Sequence, residues 1–224
     1  MASTERWEPV SSLPALEFNR RIADPDVFCG GGSVAALACA GAAASALLVF
    51  RLSYRRKSNA ARRDEINMAI AALEALTERF YADADNDIAS LQALLDAQRA
   101  AKESGDRVPY FAALQRAALA PIAIAEGAIA LIEHVIPHLP IATRFTISDL
   151  GAAATIAEGA ARAALLTAEV NIELLRDDPA SHDVADDLRA RWDSARRRVS
   201  DLADDVERVT REAVLGRELD GGPS

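Results

Sequence analysis

The sequence has few aromatic side chains, almost no cysteine and no stretch in which apolar and polar residues alternate. Phe, Trp and Tyr make up 5% of it, so a core has to be assembled from Ala, Leu, Ile and Val. Small side chains let helices approach closely, which suits a tightly packed α-helical protein. Without alternation or β-branched runs, no strand pattern competes. Cys29 and Cys39 fit no C-x-x-C pattern and are too few for a disulfide framework. They are expected as reduced thiols of a cytoplasmic protein. Positive charge is also short. The net charge of −9 gives no basic field for phosphate backbones, so no nucleic-acid partner is expected. The first residues, MASTERWEPVSSLP, contain no apolar signal core, and no export is expected.

One long run lacks charge. Ser33 to Phe50 is long enough to be a marginal membrane span. It is dominated by Ala, Gly and Ser, however, and Arg51, Arg55, Arg56 and Lys57 follow at once. The run therefore reads as a buried helix, with no membrane partner expected.

Turn signals cut the chain into helical blocks. Residues 12–23 read as a short amphipathic helix, and DPDVFCGGG (24–32) as a loop. Ser33 is placed to cap a helix running to about Lys57. A block from about Ala60 to Ala101 repeats apolar residues in steps of three, four or seven: Ile66, Ile70, Leu73, Phe80, Ala84, Ile88, Leu91 and Leu95. KESGDRVP (102–109) is a loop. Residues 110–136 are helical, with Pro121 expected to kink or break them. A connector at 138–146 leads to a helix capped by Ser148 that runs to about Arg176. A turn at 177–183 precedes a last helix over about 184–215. There Leu188, Trp192, Ala195, Val199, Leu202, Val206, Val209 and Ala213 alternate steps of four and three. That stripe fits an antiparallel bundle helix better than a free coiled coil. The expectation is an all-α bundle of five to six mostly antiparallel helices, one domain over 1–217, with a disordered tail at 218–224.

Three stretches carry candidate chemistry. DADND (83–87) places three carboxylates on one helix. At about 100° per residue, Asp83 and Asp87 share a face and Asp85 lies roughly opposite. Asp85 flanks the apolar stripe, where a packed neighbour would desolvate it and raise its pKa toward the range useful for proton transfer. The bland alternative is a solvated acidic patch. In SDLGAAA (148–154), Ser148 and Asp149 suit a helix start. Further along that helix Thr167 and Asn171 form a polar pair on an apolar face that needs partners. His134 and His138 have the spacing of two metal ligands, but Pro137 intervenes and no third ligand is evident, so no metal is expected. Gly30, Gly31 and Gly32 open a helix whose first N–H groups are free, which suits close approach of a ligand. With no lysine in the loop and no preceding strand, a nucleotide-binding reading fails.

Taken together, GGGSVAA (30–36), YRRK (54–57), DAD (83–85), ALQRAALAPIAIAE (113–126) and SDLGAAA with Asn171 resemble the cyclodeaminase/cyclohydrolase family of folate enzymes, in order along nearly the whole chain. The resemblance implies an all-helical subunit that forms a homodimer and binds a tetrahydrofolate derivative at the glycine segment. It implies either ring closure of 5-formiminotetrahydrofolate with loss of ammonia, or hydrolysis of 5,10-methenyltetrahydrofolate to the 10-formyl form. No metal or redox cofactor is implied. The family's catalytic carboxylate falls on Asp85. Gly30, Gly31, Gly32, Ser33, Ser148, Asp149, Thr167 and Asn171 are the implied substrate-binding residues, with Arg56 and Lys57 meeting the glutamate tail. Changes at Cys29, Arg55, Ala142, Thr143 and Thr167 leave an alternative, a paralogue that kept the fold as a helical scaffold or partner-binding protein.

Overall fold

A computed structural model of the chain describes residues 9–24 and 30–215, apart from the side chain of Glu207. Cys29, the first eight residues and the expected tail lie outside these. Six α-helices follow in order: α1 (Ala15–Ile22), α2 (Gly31–Tyr54), α3 (Arg63–Ser104), α4 (Val108–Val135), α5 (Ile147–Arg176) and α6 (His182–Val214). Short 3-10 helices at Val10–Ser12, Lys57–Arg62, Ile136–Ile141 and Pro179–Ser181 serve as connectors. No strand occurs among the described residues.

Helices α2, α3, α4 and α5 form an antiparallel four-helix ring, each packed on the next, with α5 closing against α2. Cross-helix pairs fix the directions. Ser33 meets Asp87 while Arg51 meets Glu74, so α3 descends as α2 rises. Helix α6 lies outside the ring on α5 and α4. It runs parallel to α4, because Glu126 pairs with Arg191 and Glu133 with Arg198. Its four-three stripe is buried from Leu188 to Val209, and the Trp192 indole N–H donates to the Leu165 carbonyl at 2.7 Å.

Small residues set the spacing. Ala36, Ala40, Ala43 and Ala46 of α2 are buried against the neighbouring helices. Two segments, Gly31–Tyr54 and Val108–Ile141, are long and apolar enough to cross a membrane, yet 61% of each apolar window is buried inside the bundle. Burial in a helical core accounts for their apolar character. At the crossing of α3 and α4, a methyl on Gly127 would lie 2.9 Å from the Phe80 ring. Helix α3 stops at Gly105, which takes φ +79° and donates its N–H to the Ala101 carbonyl.

The break allowed for at Pro121 and the two serine caps need correction. Helix α4 runs unbroken through Pro121. Proline has no N–H for the carbonyl four residues back, which is Ala117. The Asn171 side-chain amide donates to that carbonyl at 2.9 Å, so the lost bond is replaced from α5. Neither serine caps as expected. Helix α2 starts two residues before Ser33, with Gly30 as N-cap. Helix α5 starts before Ser148, with Thr146 in the cap position and bonded reciprocally to Thr143.

Candidate functional site

The N-terminus of α2 meets the middle of α3. Helix starts leave N–H groups without intrahelical acceptors. Here the Ser33 N–H donates to Asp87 Oδ2 at 2.8 Å, while the Ser33 hydroxyl turns back to the Gly30 carbonyl at 2.8 Å. The cap is thus supplied from another helix. A methyl on Gly32 would overlap the Asp87 carboxylate, and one on Gly31 would lie 2.9 Å from the Thr167 methyl. The glycines provide room rather than left-handed backbone, since Gly30 has φ −90° and Gly105 alone among the described glycines has positive φ. Burial pushes the Asp87 carboxyl up to about 6, against the opposing pull of the Ser33 N–H.

The three aspartates of DADND separate as helix rotation requires. Asp83 and Asp87 face α2. Burial raises the Asp83 carboxyl, opposed by Arg79, whose Nε lies 3.3 Å away without hydrogen-bond geometry. Beside Asp83 lies the buried thiol of Cys39, raised to about 12 by burial and then by that carboxylate. Such a thiol is inert. Asp85 faces away, accepting from the Ser11 N–H at 3.2 Å and the Ser11 hydroxyl at 2.6 Å. It lines a cavity of about 430 Å³ with Val10, Ile88, Gln92 and Asp96. Within the chain the carboxylate against the glycines is that of Asp87, while Asp85 lies on the Ser11 side of α3.

A family model described as formiminotransferase-cyclodeaminase matches residues 14–190. The chain belongs to the formiminotransferase-cyclodeaminase family. The fold agrees. It is similar to a crystal structure of formiminotetrahydrofolate cyclodeaminase from Thermotoga maritima, with a TM-score of 0.81 at 17% identity, over 92% of this chain and 99% of that one. No curated protein matches the sequence.

The family-motif residues do not gather at one place within the chain. Gly30, Gly31, Gly32, Ser33 and Thr167 come together at the start of α2. The Thr167 hydroxyl donates to Ala164 within its own helix, so its methyl is what faces Gly31. Asn171 is engaged by the Ala117 carbonyl. Arg56 and Lys57 follow the far end of α2, roughly 36 Å away at 1.5 Å per residue. The Arg56 guanidinium reaches the Ile141 carbonyl at 3.4 Å, next to the start of α5. Ser148 and Asp149 lie at that same far end, about 28 Å along α5 from Thr167. Within one chain, these four do not approach the glycines.

The two histidines also have structural partners. His134 Nε2 lies 3.2 Å from the Ala69 carbonyl, and His138 Nδ1 lies 2.7 Å from the His134 carbonyl. His138 Nε2 is 3.3 Å from Glu65. Burial, then His138, holds His134 below the ordinary imidazole range. No group of three His, Cys, Asp or Glu side chains converges to hold a metal among the described residues.

That Asp87 would meet the glycines was not foreseen, because all three aspartates lie within five positions on one helix. Asp87 shares a face with Asp83, on the side that carries Leu91 and meets α2.

Proposed function

We propose that this chain is a tetrahydrofolate enzyme of the cyclodeaminase type, with Asp87 as its general acid/base. The observation that carries the reading is the Asp87 carboxyl, raised to about 6 by burial and held 2.8 Å from the Ser33 N–H over bare glycine backbone. Such a group is divided between its acid and ionised forms near neutrality, which suits proton transfer. In cyclodeamination, N10 attacks the formimino carbon of 5-formiminotetrahydrofolate. The N10 proton and one from the acid pass to the former imino nitrogen, the C–N bond breaks, and ammonia leaves the 5,10-methenyl cation. In hydrolysis, the ionised carboxylate takes a proton from water as the oxygen adds to the methenyl carbon. The carboxyl returns that proton to N5 as the N5–C bond breaks and the new hydroxyl loses its own proton, giving 10-formyltetrahydrofolate. The cyclodeaminase reaction is our first assignment, supported by the family and by the fold shared with the formiminotetrahydrofolate cyclodeaminase of Thermotoga maritima.

The test follows loss of methenyl absorbance and, separately, ammonia release from the 5-formimino substrate. Wild type, Asp87→Asn and Asp85→Asn are compared. Loss of turnover in Asp87→Asn alone supports the assignment. Loss in Asp85→Asn alone moves the chemistry to the cavity beside Ser11. No turnover of either substrate by wild type, with no folate binding, favours the scaffold alternative.

We place a second copy of the chain on the outer face of α2 and α5. Val34, Leu48, Leu52, Ile156, Leu166 and Val170 are exposed there. Nothing lies within 4 Å of a methyl placed on Gly41, also on this face, or on Gly159. An apolar face of this kind suits close helix approach. A two-fold axis perpendicular to the helices lays the glycine end of one copy over the Ser148–Asp149 and Arg56–Lys57 end of the other. That arrangement brings together the motif residues that one chain keeps apart. Light scattering at micromolar concentration is expected to give a dimer mass. Leu48→Arg is expected to give folded monomers with little activity. We assign the protein to the cytoplasm, where the Cys39 thiol stays reduced.

A further inference from the structure

Helices α5 and α6 meet along a groove of about 270 Å³. Arg162, Leu165 and Leu166 of α5 line it, with Trp192, Arg196 and Val199 of α6. Leu165, Trp192 and Val199 are buried and form an apolar floor. Leu166 is exposed, a wall that also borders the face given to the second copy. The Trp192 indole N–H is already bonded to the Leu165 carbonyl at 2.7 Å. What Trp192 offers a ligand is therefore ring surface.

Two arginines face each other across this floor. The bonds from Trp192 to Leu165 and from Arg189 to Glu169 fix the antiparallel register of the two helices. That register sets Arg162 opposite Arg196. Arg162 Nε donates to Glu158 at 2.9 Å, which leaves its terminal N–H groups for another acceptor. Among the described residues Arg196 meets no carboxylate, and its guanidinium lies 5.4 Å from the centre of the Trp192 ring. Elsewhere on α6, Arg189, Arg191, Arg198 and Arg208 each pair with a carboxylate. Glu169, Glu173 and Asp193 are engaged by Arg189, two turns before Arg196. Arg162 and Glu158 cancel, so the groove keeps one positive charge in a chain whose net charge is −9. Guanidiniums set face to face repel unless an anion lies between them.

We infer that this groove binds a small monocarboxylate with an aromatic or branched aliphatic body. Its carboxylate takes N–H groups from Arg162 and Arg196, the forked geometry that guanidinium favours. Its body lies on Leu165, Trp192 and Val199. A single negative charge matches the one unbalanced guanidinium. The volume falls below the usual range of ligand pockets, about 300–1,000 Å³, which limits the body to about one ring. The groove is separate from the acid/base. Thr167 turns its methyl to Gly31 on the α2 side, whereas Arg162 and Leu165 meet α6.

The experiment uses Trp192 as the reporter. Trp7 and Trp192 are the only tryptophans, so a Trp7→Phe background isolates the Trp192 emission. The probes are para-isopropylbenzoate, the neutral para-isopropylbenzyl alcohol, and acetate, which has no apolar body. The benzoate is expected to give a saturable change in emission, with the alcohol binding at least about tenfold more weakly and acetate giving no change. Arg196→Gln is expected to weaken benzoate binding about tenfold and leave the alcohol as it was. Arg197→Gln removes the same charge from the next position, outside the groove, and is expected to stay within twofold of the parent. Helicity is checked for each variant. No saturable change with the benzoate overturns the inference. Equal affinity for benzoate and alcohol overturns it too, as does an equal response to acetate. Equal losses in Arg196→Gln and Arg197→Gln also overturn it, since they report only general surface charge. The readout is binding, so failure of either folate reaction leaves this result intact.

Discussion

The two ends of α2 are finished by opposite means. At its C-terminal end the neighbouring polar groups have protein partners. The Asn59 amide donates to the Ser53 and Ile141 carbonyls at 3.0 and 3.1 Å, and Arg51 pairs with Glu74. The His134 and His138 rings fill the remaining space against Phe50. At the N-terminal end three glycines leave the backbone bare, and the partner of Ser33 N–H is a carboxylate that burial disfavours in its charged form. The first arrangement lowers the free energy of the folded chain. The second raises it, and a pKa displaced by burial is what an acid/base site requires. One helix thus separates a stabilising end from the end to which we assign the chemistry.

The strongest break in this comparison is Asp87→Asn. Turnover is expected to fall about 10²–10⁴-fold, the usual contribution of a general acid or base, with less than tenfold change for Asp85→Asn. Stability should move the other way. The Asp87 carboxyl is raised from 3.8 to about 6 in the folded protein, so folding binds its proton more tightly. Its favourable contribution is full below about pH 4 and is lost as pH rises through about 6. A shift of this size corresponds to about 3 kcal/mol. Asp87→Asn is therefore expected to melt higher than wild type at pH 8, with the gap closing toward pH 4 in thermal scans. The same group sets the pH–rate profile. Ammonia loss that needs the acid falls as pH rises through about 6. Methenyl hydrolysis that needs the carboxylate rises there. Measuring both limbs decides which reaction this chain performs.

Gly32→Ala sharpens the contrast next. The added methyl overlaps the Asp87 carboxylate, so the carboxylate must move. A displacement of about 1 Å at a reacting group costs about 10²-fold in rate. Steady-state assays should show a fall in kcat near that size, with native helicity retained. At the opposite end, Asn59→Ala leaves the buried Ile141 carbonyl with one donor fewer. It is expected to cost about 1–3 kcal/mol in denaturant titrations while kcat stays within twofold. The smallest effect belongs to the exposed pair of Glu126 and Arg191. Glu126→Gln is expected to change stability by less than about 1 kcal/mol and activity not at all.

The helices were legible because their causes are local. The three-four spacing from Ile66 to Leu95, the stripe from Leu188 to Ala213 and the glycine after Ser104 each act within a few turns of the chain. The alanines between Ser33 and Phe50 also announced a helix closely packed on its neighbours. The sequence order of the family motifs identified the right family without any coordinates. The continuity of α4 through Pro121 was not legible because what replaces the lost bond is not local. The donor for the Ala117 carbonyl comes from Asn171, 54 positions away in sequence.

The sequence by itself determined that the chain is a helical bundle with a glycine-mouthed helix and a cluster of carboxylates on another, since periodicity, capping residues and small side chains act over one or two turns. Only the tertiary structure decided which carboxylate meets the glycines and which motif residues lie a helix length apart. Helix rotation distinguishes Asp85 from Asp83 and Asp87, but it does not say which side faces α2. Contacts between helices distant in sequence make that choice, because they bury one face of α3 against α2 and turn the other toward Ser11.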